Sequence, residues 1–572
     1  MCFRVLDVDC VAIGDPYHKE LFDAIGQRER ISFYENRLTP EKERSTEFWL
    51  EEAQRYVKKR VTGSFNSQKA KNIILFLGDG MSIATITAAR ILKGQRQGCS
   101  GEESVLTFEK FPFTGLVKTY CTNGQTPDSA CTATAYLCGV KTNVMMLGVN
   151  ANVQNNNCSD SMNREHQIDS IVRWAQKAGK STGLVTTTTI THASPSAGYA
   201  HVANRLWECD NDVNTMGAII GPGEECKDIA QQLVTSEPGK NLNVILGGGM
   251  GKFLPNHTVD EFGVKGERRD GLDLIDHWHS NNPEGIFVKN LEELEQVDFN
   301  ETKQLLGLFH SSHLEYYSKA KVERPKQPRL KDMTKAAIKT LEKNSEGYFV
   351  FIEGGRIDHG HHETKAAYAL DETLEFDEAI QTALDLTDDR ETLIVVTSDH
   401  SHTMTISGYP SRGNPILGLN ERDLDSDGVP YSVLNYAIGP QQYMDSSGKR
   451  LDLTNFISDN MIFPSYIRAL MGTHAGEDVA IFARGPQADL FSEFCLQLIV
   501  KMVHPAENTA VAESDNKEGA AKSWRMIKNE CGAISEEERK IFAPLRENTN
   551  TNCTVKNRLY FLLGQQAGCS VL

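Results

Sequence analysis

Three acidic residues each follow an apolar run that is typical of a buried β-strand. Asp79 comes after NIILFLG, Glu353 after GYFVFI and Asp399 after TLIVVTS. Because open parallel sheets bind ligands beside the carboxyl ends of their strands, we expect these carboxylates to gather along one edge of a sheet. One such acid is ordinary in a turn, but three of them beside histidines indicate a site.

The spacing of nearby histidines suits a metal centre. Asp358 and His362 in EGGRIDHGHHE are four positions apart, so a helical turn would place both on one face. Asp399 and His400 are neighbours at a strand end, and His474 in MGTHAGED precedes another strand. Mixed histidine and carboxylate ligands favour zinc, whereas an all-oxygen set favours magnesium.

Three further histidines lie close in sequence to these candidates: His359, His361 and His402. For each, we favour a hydrogen-bonded residue that supports the ligands over a ligand itself. No CxxC pair is present that would indicate a zinc site built from thiolates.

The candidate nucleophile is Ser129, which follows Asp128 at the start of a helix-like stretch of small residues. Unpaired amides at a helix start favour a bound anion. An ordinary N-cap is the alternative, and without the metal candidates it would be the better interpretation. Next to a metal ion, a serine oxygen becomes a competent nucleophile without a histidine base.

Arg205, in YAHVANRLW, is the candidate phosphate clamp, although a surface arginine is the alternative. Its planar guanidinium can bind two phosphoryl oxygens at once, which a lysine cannot do.

Strand-like and helix-like segments alternate around these residues, which predicts a three-layer α/β/α sandwich with a large, mainly parallel sheet. Between about residues 403 and 473 the alternation is replaced by Gly, Pro, Asp and Ser. The expected units are an N-terminal extension with a helical arm (1–60), the catalytic sandwich (61–402 and 474–504), a small insertion on the sheet edge (403–473) and a polar, partly disordered tail (505–572).

Bulk composition excludes several classes of function. The chain has 572 residues, 40% of them hydrophobic, and a formal net charge of -17. It can therefore build a large core. The negative charge disfavours nucleic acid or acidic lipid as a partner, so an anionic substrate must be attracted locally. No run of 18 or more apolar residues occurs, so no membrane-spanning helix is predicted.

The signals for the cellular compartment conflict. The first twenty residues lack the features of a secretory signal. Acceptor sequences for N-glycosylation nevertheless occur at Asn157, Asn256, Asn300 and Asn552. The thirteen cysteines are also ambiguous, and Cys131 and Cys138, in an apolar helix-like stretch, favour buried free thiols over disulfides.

Six groups of residues together resemble the alkaline phosphatases, most closely the animal tissue type. They are GDGM, PDSACTATAYLCGVKTN, THASP with AHVANR, EGGRIDHGHH, TSDHSHT and THAGEDVAIFARGPQA. Each group is specific, and their order along the chain also agrees, from about Phe48 to Ile499.

The resemblance implies two zinc ions and one magnesium ion. One zinc would be held by Asp358, His362 and His474, and the other by Asp79, Asp399 and His400. Magnesium would be held by Asp79, Ser194 and Glu353. Ser129 and Arg205 match the nucleophile and the phosphate-binding arginine, while Asp128, His192 and His359 match positions around the ligands. Cys158 and Cys226 match a family disulfide.

The implied activity is hydrolysis of small phosphate monoesters through a phosphoserine. A homodimer is implied, with a helical arm reaching the partner and residues 403–473 forming a crown. The implied location is extracellular or on the cell surface, with any membrane attachment through a lipid anchor whose signal is not visible. The alternative is a catalytically weak cell-surface binding protein on the same scaffold. Its mark would be a broken ligand set, and every matched position is intact.

Overall fold

The computed structural model describes residues 66–424, 427–492 and 494–496. The predicted N-terminal arm and C-terminal tail lie outside these residues. The strands, in chain order, are β1 Asn72–Gly78, β2 Phe113–Lys118, β3 Ser181–Thr189, β4 Val244–Gly248, β5 Ile286–Val288, β6 Leu305–Leu308, β7 Tyr348–Gly354, β8 Thr392–Thr397, β9 Ser401–His402, β10 Met404–Ile406, β11 Leu419–Leu424, β12 Pro430–Ser432, β13 Leu434–Gly439, β14 Ser465–Arg468, β15 His474–Ala475, β16 Val479–Arg484 and β17 Phe494–Leu496.

Helices alternate with the strands over much of the chain. They are α1 Ile83–Arg96, α2 Ser129–Cys138, α3 Cys158–Met162, α4 Ile171–Lys177, α5 Ala193–Ser196, α6 Asp210–Thr215, α7 Ile229–Thr235, α8 Leu274–Asn281, α9 Leu291–Glu295, α10 Tyr317–Glu323, α11 Leu330–Leu341, α12 Arg356–His362 and α13 Ala366–Leu386. Among the described helices, none is both long enough and apolar enough to cross a membrane.

The largest sheet within the described residues has ten strands, in the order β17-β2-β16-β8-β1-β7-β3-β4-β6-β5. β16 is antiparallel to β8 and to β2. The other neighbours in this sheet are parallel. The predicted mainly parallel sheet is thus confirmed, although the last strands, β16 and β17, lie beside β2, which the sequence pattern had not indicated.

Both faces of the sheet are buried, as a three-layer sandwich requires. In β1, Ile73, Leu75 and Leu77 belong to the core that includes Tyr136 of α2. Ile74 and Phe76, whose side chains point to the opposite face, join the core that includes Phe376 of α13. A strand that is apolar on both faces is typical of the centre of a parallel sheet, which explains the unbroken run NIILFLG.

The segment between β9 and β15 forms sheets of its own. β10, β13 and β14 make a three-stranded sheet, and β11 pairs with β12. At the base of this segment, β9 and β15 pair antiparallel, with His402 opposite His474. The two ends of the predicted insertion therefore meet beside the candidate ligands.

Two disulfides are present among the described residues. Cys158 is bonded to Cys226, as the resemblance implied. Cys138 is a buried free thiol, as expected. The prediction of a free thiol at Cys131 is wrong, because Cys131 is bonded to Cys121. The apolar helix around Cys131 suggested burial correctly, but the sequence gave no sign that Cys121 would lie against it.

Candidate metal centre and active site

The three strand-end acids meet at one edge of the sheet. Asp79, Glu353 and Asp399 are completely buried and belong to the neighbouring strands β1, β7 and β8 or follow them within two residues. Glu353 is still within β7, opposite Leu77 of β1. Asp399 accepts hydrogen bonds from the Gly80 amide, at 2.9 Å, and from the His400 amide, also at 2.9 Å. The Asp399 carboxylate is therefore fixed by the backbone as well as by its place after the strand.

A second group of ligand-type side chains comes from α12 and from the β9–β15 pair. The helix places Asp358 and His362 on one face, as predicted, with Asp358 Oδ2 3.2 Å from His362 Nε2. His474 Nε2 lies 3.4 Å from Asp358 Oδ1 and 3.0 Å from His362 Nε2. Three potential ligand groups thus converge from segments more than a hundred residues apart in sequence.

The backbone sets the ring orientation of these two histidines. His362 Nδ1 donates to the Gly472 carbonyl at 2.7 Å, and His474 Nδ1 donates to the Pro127 carbonyl at 2.9 Å. Each Nδ1 must carry a proton to do so, which leaves each Nε2 as the nitrogen that can bind a metal. The two Nε2 atoms face each other, an arrangement that a cation between them would stabilise.

The charges of the cluster also call for cations. Burial, reinforced by Asp399, Asp358 and Glu353, raises the pKa of Asp79 well above its ordinary value. Burial likewise raises the pKa of Glu353 to about 7 and that of Asp399 to about 6. Although burial lowers the pKa of His362, Asp358 raises it to about 9. Buried acids that cannot all ionise together are the donor set that divalent cations bind.

Within the described part of the chain, Asp79 Oδ1 is buried without a hydrogen-bond partner. It lies 3.5 Å from His400 Nε2. A buried carboxylate oxygen left in this way is costly unless a cation binds it. Two observations therefore show that the residues present fit a metal centre. They are the buried Asp79 Oδ1 and the facing Nε2 atoms of His362 and His474.

Three overlapping groups of residues could each hold a metal ion, because within each group the possible ligand atoms all lie within 4.8 Å of one another. They are Asp79 with Asp399 and His400; Asp358 with His400, His402 and His474; and Asp79 with His192 and Glu353. The structure thus brings the eight predicted metal residues to one place, with Ser194 donating its hydroxyl to Asp79 Oδ2 at 3.4 Å.

His402 and His192 lie closer to the candidate metal ligands than the sequence suggested. His402 Nε2 is hydrogen-bonded directly to Asp358 Oδ1. His192 shares a set with Asp79 and Glu353. By contrast, His361 bonds Thr85 and Tyr436, each at 2.9 Å, and is completely buried. Both ring nitrogens of His361 are therefore engaged in hydrogen bonds to side chains.

Ser129 begins α2 and adjoins this cluster. Asp128 is the N-cap and accepts a hydrogen bond from the Cys131 amide at 3.2 Å. The Ser129 side chain is almost fully buried, and its Oγ is 3.2 Å from His400 Nε2. The predicted nucleophile therefore combines two features that the sequence could only suggest separately, a helix N-terminus and contact with a candidate ligand.

Arg205 lies between Asp128 and His192. Its Nη1 donates to Asp128 Oδ2 at 3.3 Å, and its Nη2 donates to His192 Nε2 at 2.9 Å. Burial lowers the pKa of the guanidinium, but Asp128, Asp79 and Asp358 raise it above its ordinary value, so it remains charged. Two neighbours thus hold a permanent cation close to the start of α2.

The third predicted supporting residue, His359, accepts a hydrogen bond from Arg356 at 2.7 Å. Its ring centre is 5.5 Å from that of His192 and 4.5 Å from that of His313. Sequence reasoning missed His313, whose position after β6 carries no motif. Only the folded sheet brings it to this group.

Comparisons with known proteins identify the family of this chain. The family model described as alkaline phosphatase matches residues 70–508. The chain is 46% identical to the tissue-nonspecific alkaline phosphatase of Gallus gallus, over 79% of this chain and 87% of the relative. It is 43% identical to the membrane-bound alkaline phosphatase of Bombyx mori, over 84% of this chain and 87% of the relative.

Solved structures support the fold. The alkaline phosphatase of Thermus thermophilus aligns with a TM-score of 0.55 at 22% identity, covering 77% of this chain and 92% of that one. A His 135 Asp mutant of TAB5 alkaline phosphatase, described with Mg bound in its M3 site, aligns with a TM-score of 0.53 at 24% identity, covering 77% of this chain and 99% of that one.

Proposed function

Since this chain belongs to the alkaline phosphatase family and is therefore a hydrolase of phosphate monoesters, we propose that Ser129 is its nucleophile and that the reaction passes through a phosphoserine. One observation carries the proposal. The Ser129 hydroxyl lies at a helix N-terminus, against His400 and close to the buried acid and histidine cluster.

The proposed cofactors are two zinc ions and one magnesium ion. Asp358, His362 and His474 would hold one zinc, and Asp79, Asp399 and His400 would hold the other. Asp79, Ser194 and Glu353 would hold magnesium. Bound there, the ions supply Lewis-acid stabilisation of negative oxygen and lower the cost of deprotonating the serine.

The chain's own residues bind the phosphoryl group and orient the attack. Ser129 Oγ forms a bond to phosphorus while the bond to the alcohol breaks, and the alcohol leaves. Water then attacks the phosphoserine, releases phosphate and restores the hydroxyl. Arg205 binds phosphoryl oxygens through its two terminal nitrogens, and Asp128 and His192 hold the guanidinium in place for this.

The phosphoryl group is thus recognised by fixed charge, and the alcohol contributes little. A site of this kind accepts many monoesters, because the groups that stabilise the transition state contact only the part that all substrates share. We therefore propose a broad class of small phosphate monoesters as substrates.

We also propose that the protein is located on the cell surface and forms a homodimer. The Bombyx mori relative is named as membrane-bound. The two disulfides, Cys121–Cys131 and Cys158–Cys226, suit an oxidising compartment. Surface labelling of cells that express the full chain, and size-exclusion chromatography with light scattering, test these two points. Intracellular retention or a stable active monomer would contradict them.

Hydrolysis of p-nitrophenyl phosphate at alkaline pH tests the central proposal. Ser129→Ala should abolish turnover while zinc and magnesium content remain near normal. Ser280→Ala, on the exposed surface of α8, is the matched control and should keep full activity. Acid quenching during turnover, followed by mass spectrometry, should detect phosphate on Ser129.

Three outcomes would contradict the proposal. Full activity of Ser129→Ala would refute the nucleophile, and hydrolysis of the bis-ester in preference to the monoester would refute the substrate class. A folded, metal-loaded wild-type protein without turnover would favour the alternative of a binding protein on this scaffold.

A further inference from the structure

The disulfide Cys121–Cys131 encloses the residues that introduce the nucleophile. Its two cysteines are ten positions apart, and Asp128 and Ser129 lie inside the loop that the bond closes. Cys131 belongs to the first turn of α2, whereas Cys121 lies in the connection from β2. The bond therefore ties the start of the nucleophile helix to the segment that leads into it.

The Asp128 carboxylate lies beside this bond. A carboxylate oxygen of Asp128 and both sulfur atoms lie within 4.8 Å of one another. The amide of Cys131 donates to Asp128 Oδ1 at 3.2 Å. Cys131 therefore both forms the disulfide and donates a hydrogen bond to the N-cap residue of α2. A second amide, that of Met145, donates to the same oxygen at 3.1 Å.

The other oxygen of Asp128 faces Arg205. Asp128 Oδ2 accepts from Arg205 Nη1 at 3.3 Å. One carboxylate thus links the disulfide-bonded helix start on one side to the phosphate clamp on the other. Because this hydrogen bond is one of the two that orient the guanidinium, a shift of Asp128 is expected to change the direction of Arg205 relative to Ser129.

The connection itself has little burial to hold it. Cys121 and Pro127 are buried, but Thr122, Asn123, Gln125 and Thr126 are exposed. Its backbone ties include a turn in which the Cys121 amide donates to Gly124 O at 2.9 Å, and a bond from the Thr122 amide to Thr142 O at 3.0 Å. Hydrogen bonds in a connection with so many exposed residues open more readily than a covalent bond does.

We propose that the Cys121–Cys131 disulfide is a positioning element of the active site, which holds Asp128 so that its carboxylate orients Arg205 for binding the phosphoryl group. This inference rests on the proposed function of Arg205 and Ser129. It adds to that function a covalent constraint on the clamp, made by two cysteines that take no part in the chemistry.

The test is a double-mutant cycle in the full-length, metal-loaded enzyme. The variants are Cys121→Ala/Cys131→Ala, Arg205→Ala and the combination of all three. We expect removal of the disulfide to lower kcat/KM by about tenfold to a hundredfold in the wild-type background, which is the effect of a small misplacement of a binding group. The inhibition constant for inorganic phosphate should rise in parallel.

In the Arg205→Ala background, removal of the disulfide should lower kcat/KM by less than about threefold, because the group through which the disulfide acts is already absent. Cys158→Ala/Cys226→Ala is the matched control. It removes the other disulfide, which should lower the melting temperature and leave kcat/KM and phosphate inhibition unchanged.

The possible results separate this inference from the proposed function. If the wild-type protein is active and the Cys121→Ala/Cys131→Ala enzyme has unchanged kcat/KM, the inference is wrong while the function stands. Equal losses in both backgrounds would also overturn it, because the disulfide would then act independently of Arg205. Should the double variant not fold, Cys121→Ala alone, measured at 25 °C with its zinc content, gives the same comparison.

Discussion

Replacing Glu353 by Gln should increasingly stabilise the metal-free protein, relative to wild type, as the pH rises, although it removes a proposed ligand. Glu353 is completely buried, and its pKa is raised from 4.5 to about 7, first of all by burial. The native state therefore binds the proton of this group more tightly than the unfolded state does. Its contribution to stability is complete below about pH 4.5 and is lost as the pH rises through about 7.

The size of the effect follows from the two pKa values. Full titration of a group shifted from 4.5 to about 7 corresponds to roughly 3 kcal/mol, of which roughly 2 to 3 kcal/mol falls between about pH 5 and pH 8. Glutamine has nearly the same shape and no charge to lose. The free energy of unfolding of Glu353→Gln, relative to wild type, should therefore increase by that amount across this range.

Urea denaturation of chelator-treated wild-type protein and Glu353→Gln, at intervals from pH 5 to pH 8, measures the difference. Glu284→Gln, at an exposed position after α8, is the control and should follow the wild type at every pH. With zinc and magnesium present the sign should reverse, because the bound ion stabilises only the wild-type carboxylate. Parallel stability curves for the two metal-free proteins would refute the reasoning.

Three further predictions concern the clamp, the ions and the core. Arg205→Lys should lower kcat/KM about tenfold to a hundredfold and raise the inhibition constant for phosphate, because an ammonium cannot reproduce the two-nitrogen contact; unchanged phosphate inhibition would remove Arg205 from the site. Chelation should abolish turnover and lower the melting temperature seen by calorimetry, with both restored by added zinc and magnesium; equal melting with and without metal would count against the trinuclear site. Arg268→Met should lower the free energy of unfolding, measured by urea denaturation, by about 3 to 5 kcal/mol, because it leaves the Asp228 charge buried without its partner. Arg268 is completely buried and donates to Asp228 at 2.8 and 3.1 Å. A change under about 1 kcal/mol would refute this.

The strand-end acids were predictable because local pattern and sheet topology agree on where they go. An unbroken apolar run specifies a central parallel strand, and the carboxyl ends of such strands share one edge. Asp79 and Asp399 needed only this rule. The helical spacing of Asp358 and His362 was likewise a local property, and α12 places their side chains 3.2 Å apart as expected.

What the sequence could not specify depends on contacts between distant segments. His313 reaches the site only because β6 lies in the same sheet as β3 and β7. The Cys121–Cys131 bond depends on how the connection after β2 folds back on α2. The sequence pattern does not indicate this fold of the connection. His402 had a weaker signal, since alternation along a strand could have aimed either His402 or its neighbour toward Asp358.

The pairing of β9 with β15 has a consequence for how this protein can vary. Residues 403–473 leave and re-enter the sandwich at adjacent points, where β9 pairs with β15. Further contacts also join the segment to the sandwich, among them Tyr436 with His361 and the Phe463 amide with Thr364 O. Substitutions or insertions in the outer strands of this segment can therefore accumulate, while the pairing of β9 with β15 keeps His402 opposite His474. Variation of the outer surface is thereby separated from the geometry of the candidate ligands at the base of the segment.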